Sequence, residues 1–590
     1  MAVAIACMAL AGCIFDTNKP KLPTPQLVIS FEGVAVWGEV DNAMYYVYVI
    51  DKGDEKFTDV CSVQLEENQT IKVKAVSGSE EYADSDFSEP QTYIKVTTDS
   101  GNGGNGGNGE NDGNTTYPEH THSDVNSDGK CDKCGESVKV ELSFYAVNDL
   151  HGKLIDTDTQ PGVDEFTTYI KNLYADKERE EILLSSGDMW QGTVESSTNK
   201  GRFMTEWMND VGFVSMTLGN HEYDWGSAVL KPNSEAAKFP FLAINVTYNG
   251  RAVDYCRAST VVEKGGAKIG IIGAIGDCLS SISGDFTQGL KFATGSALTA
   301  LVKAESKRLR EQENCDFIVY SIHDGGTGFS SSGIKSVDNN DLKYYDTSLS
   351  NGYVDLVFEG HSHQDYILQD EYGVYHMQGG GENKYVSCAE VSINIVTGKY
   401  KVSPKLVSSS VYASSKIEGD PVVGTLFKKY FPNSNPYTDV LGTNASRRDS
   451  YEVINQLAKL YFNKGVEKWG SQYKIVLGGG YLKLRTPYMI DSGNVTYADI
   501  FSVLPFDNEI VLGKIKGYKL KTQFLNNRNY TVFTTIKEAE VDDSSDYYII
   551  IDSYTSTYSY NGITEVARLG GEVYPRDLLK EFVTSGGWAR

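Results

Sequence analysis

The stretch "TLGNHEYDWG", Thr217–Gly226, follows the apolar run "VGFVSM" and places an asparagine, a histidine, a glutamate and an aspartate within Asn220–Asp224. Four other strand-like runs end in the same way. "ELSFYAV" leads into "NDLHG", with Asp149 and His151, and "EILLSS" into "GDMWQG", with Asp188. "DFIVYSI" leads into "HDGG", with His323, and "VDLVFE" into "GHSH", with His361 and His363. Helical patterns such as "SALTALVKAESKRLREQ" separate the runs, so the texture from Val138 onward is α/β. Each group of polar side chains falls at the carboxyl end of a strand, the edge of an α/β sheet where sites form.

The histidines sharpen this reading. The chain has eight: His120, His122, His151, His221, His323, His361, His363 and His376. Five stand at these strand ends beside Asp149, Asp188 and Asn220. A lone histidine is usually a satisfied polar residue, but five in register with strand ends point to ligands. Asp, His and Asn together suit borderline-to-hard divalent cations, and the lack of cysteine argues against a thiolate site. Seven donors are too many for one ion and fit two that share a carboxylate. Such a pair, about 3.5–4 Å apart, clamps the attacking and leaving oxygens of an in-line displacement at phosphorus. The chemistry expected is phosphate ester hydrolysis.

The ordered series "NDLHG", "GD", "GNHE", "H" and "GHSH" resembles the calcineurin-like metallophosphoesterases, and "LGNHEYDWG" with "FPFLAINV" is similar to their 5′-nucleotidase branch. The resemblance implies a four-layer α/β domain, a β-sandwich flanked by helices, followed by an α+β 5′-nucleotidase C-terminal domain. It implies two divalent ions, zinc, manganese or similar. Asp149, His151 and His363 would hold one, Asn220, His323 and His361 the other, and Asp188 would bridge them. His221 would approach the phosphate and Asp224 would orient its imidazole. Glu222 reads as a local structural carboxylate.

The same resemblance implies that the C-terminal domain holds a nucleoside. Within "GNVTYADIFSVLPFDNEIVLGKIKGYKL", Phe506 would stack on a base and Asn508 contact it. Base stacking on an aromatic ring contributes roughly 1–3 kcal/mol. The agreement loosens in "LGGGYLKLRTPYMIDSG", where Arg485 stands displaced from the family's arginine. The second stacking ring is assigned to Tyr554, with Tyr558 and Tyr560 as alternatives, although the Gly-Gly-Asp that often follows it is missing.

Ahead of the α/β region, residues 22–98 carry short alternating segments divided by turn residues, the rhythm of a small all-β sandwich resembling fibronectin type III modules. A Gly/Asn linker follows at 99–117. In 118–136, His120, His122, Cys131 and Cys134 have the spacing of a structural zinc knot. Asp124, Asn126, Asp128 and Gly129 overlap it as half of a Ca²⁺ loop, with Gly135 where the bidentate glutamate belongs. The remaining boundaries expected are a catalytic domain at 138–410 and a substrate domain at 438–590.

With 79 acidic against 54 basic residues and a net charge of −25, the chain is a poor match for nucleic-acid polymers or an anionic membrane surface. Residues 1–13 read as a secretory segment ending in "LAGC", which resembles a bacterial lipobox with lipidation at Cys13, although no basic n-region precedes it. The nine cysteines show no disulfide framework. The expectation is an exported, lipid-anchored enzyme acting on small nucleotides, touching the membrane through the anchor alone. Its leading substrates are nucleoside 5′-phosphates. The rivals are a 2′,3′-cyclic-nucleotide phosphodiesterase with 3′-nucleotidase activity, a UDP-sugar hydrolase, and an inactive surface adhesion protein.

Overall fold

Strand β1 (Lys139–Val147) is buried on both faces. Val140, Leu142, Phe144 and Ala146 point one way, Tyr145 and Val147 the other, into two separate cores. That explains a continuous apolar run where a one-sided strand would alternate. The computed structural model describes residues 19–29, 33–79, 81–93, 123–124, 129–132, 137–154, 162–175, 179–282, 284–330, 333–413, 416–485, 488–557, 562–571 and 573–589.

β1 lies in a six-stranded sheet beside β2 (Glu180–Ser185), which neighbours β3 (Ser215–Thr217), all parallel. A seven-stranded sheet faces it, with β4 (Phe317–His323) parallel to β5 (Leu356–Phe358) near its centre. Between the sheets Phe144 meets Phe317 at 5.8 Å and Phe358 at 6.5 Å between ring centroids. One side chain thus ties three strands, and its burial stabilises the fold by roughly 1.5–3 kcal/mol. Helices Asp164–Ala175 and Arg202–Val211 cover the first sheet through Phe166, Ile170, Phe203, Met204 and Trp207. Helix Gly295–Glu311 covers the second through Leu298, Leu301, Val302 and Leu309, at helical spacing. The result is helix, sheet, sheet, helix.

Two smaller units flank this body. Residues 27–92 form a three-stranded and a four-stranded antiparallel sheet around Trp37, Tyr46, Ile71 and Val73. This sandwich is more than a spacer, because its Val36 enters the core beneath helix Gly295–Glu311. At the other end a five-stranded sheet packs on helices Ser450–Trp469 and Pro575–Thr584. The stretch between the two expected domain boundaries is structured too: helix Pro421–Tyr430 lies on helix Arg202–Val211, with the rings of Phe203 and Tyr430 at 5.5 Å.

Cys13, His120, His122, Cys134, Tyr558 and Tyr560 lie outside the described residues, as do Asn126, Asp128 and the Gly/Asn linker. Of the expected zinc knot only Cys131 is described, and it is buried. Asp124 accepts the backbone N–H of Gly129 at 3.0 Å. No described cysteine forms a disulfide.

His376, the histidine left over from the strand-end set, is fully buried in the seven-stranded sheet. Its Nδ1 lies 2.8 Å from Glu359 and its Nε2 3.3 Å from Asp370. Burial alone would lower its pKa, but Asp370 and Glu359 outweigh it and push it up to about 9. The folded value therefore lies above the unfolded one, near 6.5. The stabilisation is complete below about pH 6.5 and fades as pH rises through 9, a change of about 3 kcal/mol at most. Thermal unfolding across this window checks it: His376→Gln should lower stability at pH 6 and flatten its pH dependence up to pH 9.

Candidate active site

The strand ends that carry the candidate ligands are strained. Asp149, His151, Asp188, His361 and His363 all have φ between 49° and 67°. Non-glycine residues pay of order 1–3 kcal/mol each for such backbone, and keep it only where the surroundings over-determine it. The turns also need glycine where chains converge. A Cβ on Gly187 would come within 2.6 Å of His323 Nδ1, and one on Gly360 within 2.9 Å of it.

These turns aim donor atoms at common points. Asp149, His151 and His363 each present an atom within 4.8 Å of the others, and so do Asp188, His323 and His361. Asp188 also groups with His151 and His221, so it stands between the two sets. Asn220 Oδ1 lies 2.9 Å from His361 Nδ1. All seven candidate ligands are therefore brought together.

Hydrogen bonds fix which face of each ring looks inward. His151 Nδ1 donates to the Gln191 carbonyl at 2.9 Å and His323 Nδ1 to the Ser186 carbonyl at 2.7 Å. Carbonyls only accept, so Nδ1 carries a hydrogen in both rings and Nε2 is the atom turned to the site, the orientation a metal ligand needs. Burial and the neighbouring His221 push the His151 pKa well down, which keeps that ring neutral. His323 differs: burial would lower it, but Asp188, 3.1 Å from Nε2, raises it to about 10. That nitrogen and that carboxylate are both buried, so positive charge is stabilised between them, and the donor set around them fits divalent cations.

His221 is arranged differently. Its Nδ1 lies 2.7 Å from Asp224 Oδ2, which turns Nε2 away from that carboxylate. Burial alone would lower its pKa, but Asp224 and Asp188 together raise it above the ordinary value. The backbone N–H of His221 donates to Asp188 Oδ1 at 2.8 Å, tying this turn to the shared carboxylate.

Glu222 does more than a local carboxylate would. Its two oxygens accept the N–H groups of Asp188 (3.0 Å), Met189 (2.8 Å), Trp190 (3.2 Å) and Gly219 (2.7 Å). It clamps the β2 turn to the β3 turn. No spacing rule in the sequence signals this, since the four donors are backbone atoms, three of them more than thirty residues away.

A cavity of about 1060 Å³ opens over these groups. Asp188, Asn220, His221 and Asp224 line one wall, and Arg485, Phe506, Asn508 and Tyr554 of the C-terminal unit line the other. The Phe506 ring lies 6.2 Å from His221, nearly parallel to it, with the Arg485 guanidinium 5.6 Å above. Arg576 fixes this turn: it donates to the Phe506 carbonyl at 2.8 Å and pairs with Asp507. Trp225 Nε1 donates across the cleft to Asp507 at 3.1 Å, and Arg568 pairs with Asp285 at 2.7 Å. Tyr554 faces Tyr481 at 6.4 Å. Tyr481 and Arg568 were not singled out from the sequence; Tyr481 directly follows the "GGG" run, a signal that could have found it.

Residues 142–365 match the calcineurin-like phosphoesterase family model, and residues 476–544 match that of the 5′-nucleotidase C-terminal domain. Protein UshA of Yersinia enterocolitica is 23% identical over 505 residues, covering 76% of this chain and 88% of that protein. The 5′-nucleotidase of Vibrio vulnificus is 25% identical over 418 residues, covering 64% of this chain and 74% of its own length. The crystal structure of a 5′-nucleotidase precursor from Thermus thermophilus shares the fold, with a TM-score of 0.55 at 17% identity over 76% of this chain and 96% of that one. The chain is a metal-dependent phosphoester hydrolase that joins these two domain types.

The Glu222 clamp can be tested directly. Glu222→Gln would leave an amide N–H₂ facing two backbone donors, so we expect a loss of about 3 kcal/mol and weaker metal retention. Thermal denaturation with metal analysis checks this, and an unchanged melting temperature would refute the clamp.

Proposed function

We propose that this calcineurin-like phosphoesterase removes phosphate from nucleoside 5′-phosphates. The observation that carries the reading is that one cavity holds both halves of the task. Asp188, Asn220, His361 and His363 of the two donor sets lie on one wall, and an aromatic and cationic surface built from Phe506, Tyr554, Arg485 and Asn508 lies on the other. Asp149, His151 and His363 would hold one divalent cation and Asn220, His323 and His361 a second, with Asp188 shared between them. When bound, the pair supplies Lewis-acid polarisation of the phosphoryl group and a nucleophile at neutral pH.

The chain's own residues do the rest. Asp224 holds the His221 hydrogen at Nδ1, so that Nε2 faces the phosphoryl group. The nearby carboxylates favour the protonated imidazole, which places a donor where charge develops and a proton within reach of the leaving oxygen. Phe506 lies against His221 and lines the cavity, which makes it the candidate aromatic contact for the base. Arg485 lies over that ring and brings a positive charge to the cavity wall. The reading includes export and lipid attachment at Cys13, on the strength of the "LAGC" segment; no described helix is long and apolar enough to cross a membrane.

Phosphate release by purified protein with Mn²⁺, Zn²⁺ or Ca²⁺, across AMP, ADP, ATP, 3′-AMP, 2′,3′-cyclic AMP and UDP-glucose, tests this. AMP should be cleaved well. Cleavage of the cyclic nucleotide or UDP-glucose alone would replace the substrate assignment, and no turnover at all would sink the enzyme reading. Two variants separate the roles: His221→Ala should keep its metal while losing about 10²–10⁴-fold in rate, whereas Asn220→Ala should lose metal affinity itself. Asp188→Asn should nearly abolish turnover; full activity would refute the shared-ligand assignment.

A further inference from the structure

The loop that carries Asp188 also carries a side chain with no assigned task. Gln191 is 1% exposed and borders the cavity beside Asp188, Asn220 and His221. Neither its Oε1 nor its Nε2 has a hydrogen-bond partner among the described residues. Buried amides are almost always paired, and leaving one unpaired is costly. A leucine would fill a similar volume without that cost, so packing alone does not account for a glutamine here.

The backbone at this position is fixed by the site itself. The Gln191 carbonyl accepts from His151 Nδ1 at 2.9 Å, and the preceding N–H groups of Met189 and Trp190 are held by Glu222. Gly192, next in line, has φ +148°, and a Cβ there would run into His151. The side chain therefore leaves from a rigid platform, one hydrogen bond removed from a ligand imidazole. A pre-placed neutral donor of this kind is suited to a phosphoryl oxygen, because it gains an ionic acceptor and pays little to be oriented.

We propose that the Gln191 amide contacts the substrate: its N–H donates to a nonbridging phosphoryl oxygen, and its Oε1 accepts a hydrogen from the attacking water. This rests on the phosphoester reading above and adds a positioning contact from outside the metal-ligand set. Oriented this way, both unpaired atoms are satisfied in the complex.

The test uses the full-length, Mn²⁺-loaded protein and two variants, Gln191→Leu and Gln191→Glu. The leucine variant should keep its metal content and melt at or above the wild-type temperature, since an unpaired amide has been removed. Its kcat/KM for AMP should fall about 10- to 100-fold, and its inhibition constant for inorganic phosphate should rise by a similar factor. The glutamate variant keeps the acceptor but loses the donor and adds charge, so its phosphate inhibition should weaken further; it also serves if the leucine variant does not fold. Wild-type kcat/KM and phosphate inhibition in both variants would overturn the proposal and leave Gln191 as packing. If the wild-type protein cleaves no ester, the underlying reading fails instead. Calorimetric phosphate binding, wild type against Gln191→Leu, then decides the contact by itself.

Discussion

The structure depends on one constraint: buried carboxylates and imidazoles must face each other at the place where two sheets meet. Asp149 and Asp188 are fully buried, and His151 and His323 with them. Their backbone is mostly in the left-handed region, which no local propensity favours. Such an arrangement persists only if the rest of the molecule holds it. The sandwich core does so from below, through Phe144, Phe317 and Phe358. Glu222 does so from the side by gathering four N–H groups, and the glycines at 187 and 360 leave room for the turns to touch. The buried carboxylates stabilise positive charge beside them, so the site's architecture and its fitness for a cation are two aspects of the same packing.

A second network sits behind β5. Glu359 accepts from Tyr344 and Tyr366 as well as from His376, and Tyr366 in turn accepts the N–H of Gly326. Gln378 joins Tyr366 to Ser362, the residue between His361 and His363. The turn that follows β4 and the turn that follows β5 are therefore held by one buried polar cluster, fully hydrogen-bonded, which converts two flexible strand ends into a single rigid support.

Much of this was legible beforehand. The five strand ends, the convergence of their candidate donors and the His221–Asp224 contact could be read because each is a short, contiguous motif with a fixed offset from an apolar run. Less legible was anything built by backbone atoms or by packing between distant segments. Glu222 stands inside the most conspicuous motif, yet its partners are amide groups of another loop. Val36 looks like any strand residue of the N-terminal sandwich, and only the fold brings it under helix Gly295–Glu311. Helix Pro421–Tyr430 falls between the two expected domains, 138–410 and 438–590, although Asp420 caps it and Pro421 opens it as a helix start requires. In the C-terminal unit a single tyrosine among 38 carries little signal, so Tyr481 emerged only from its place opposite Tyr554.

The charge distribution completes the argument. A chain with a net charge of −25 repels nucleotides at long range, so affinity must come from local fields. Lys200, Lys483, Arg485 and Arg568 border one cavity, and Arg568 spends its charge on Asp285, Glu509 and Glu565. Arg485 lies instead over the Phe506 ring, which faces His221. The guanidinium, phenyl and imidazole groups meet where the C-terminal unit faces the metallophosphoesterase unit. An ester bound there would meet cations at its phosphate and a π-face at its base within a space sheltered from bulk water. In that shelter each hydrogen bond from His221 is stronger than it would be in solution. The C-terminal unit thus bears on the catalytic candidates as well as on the cavity's outer wall, because Phe506 lies against the His221 imidazole.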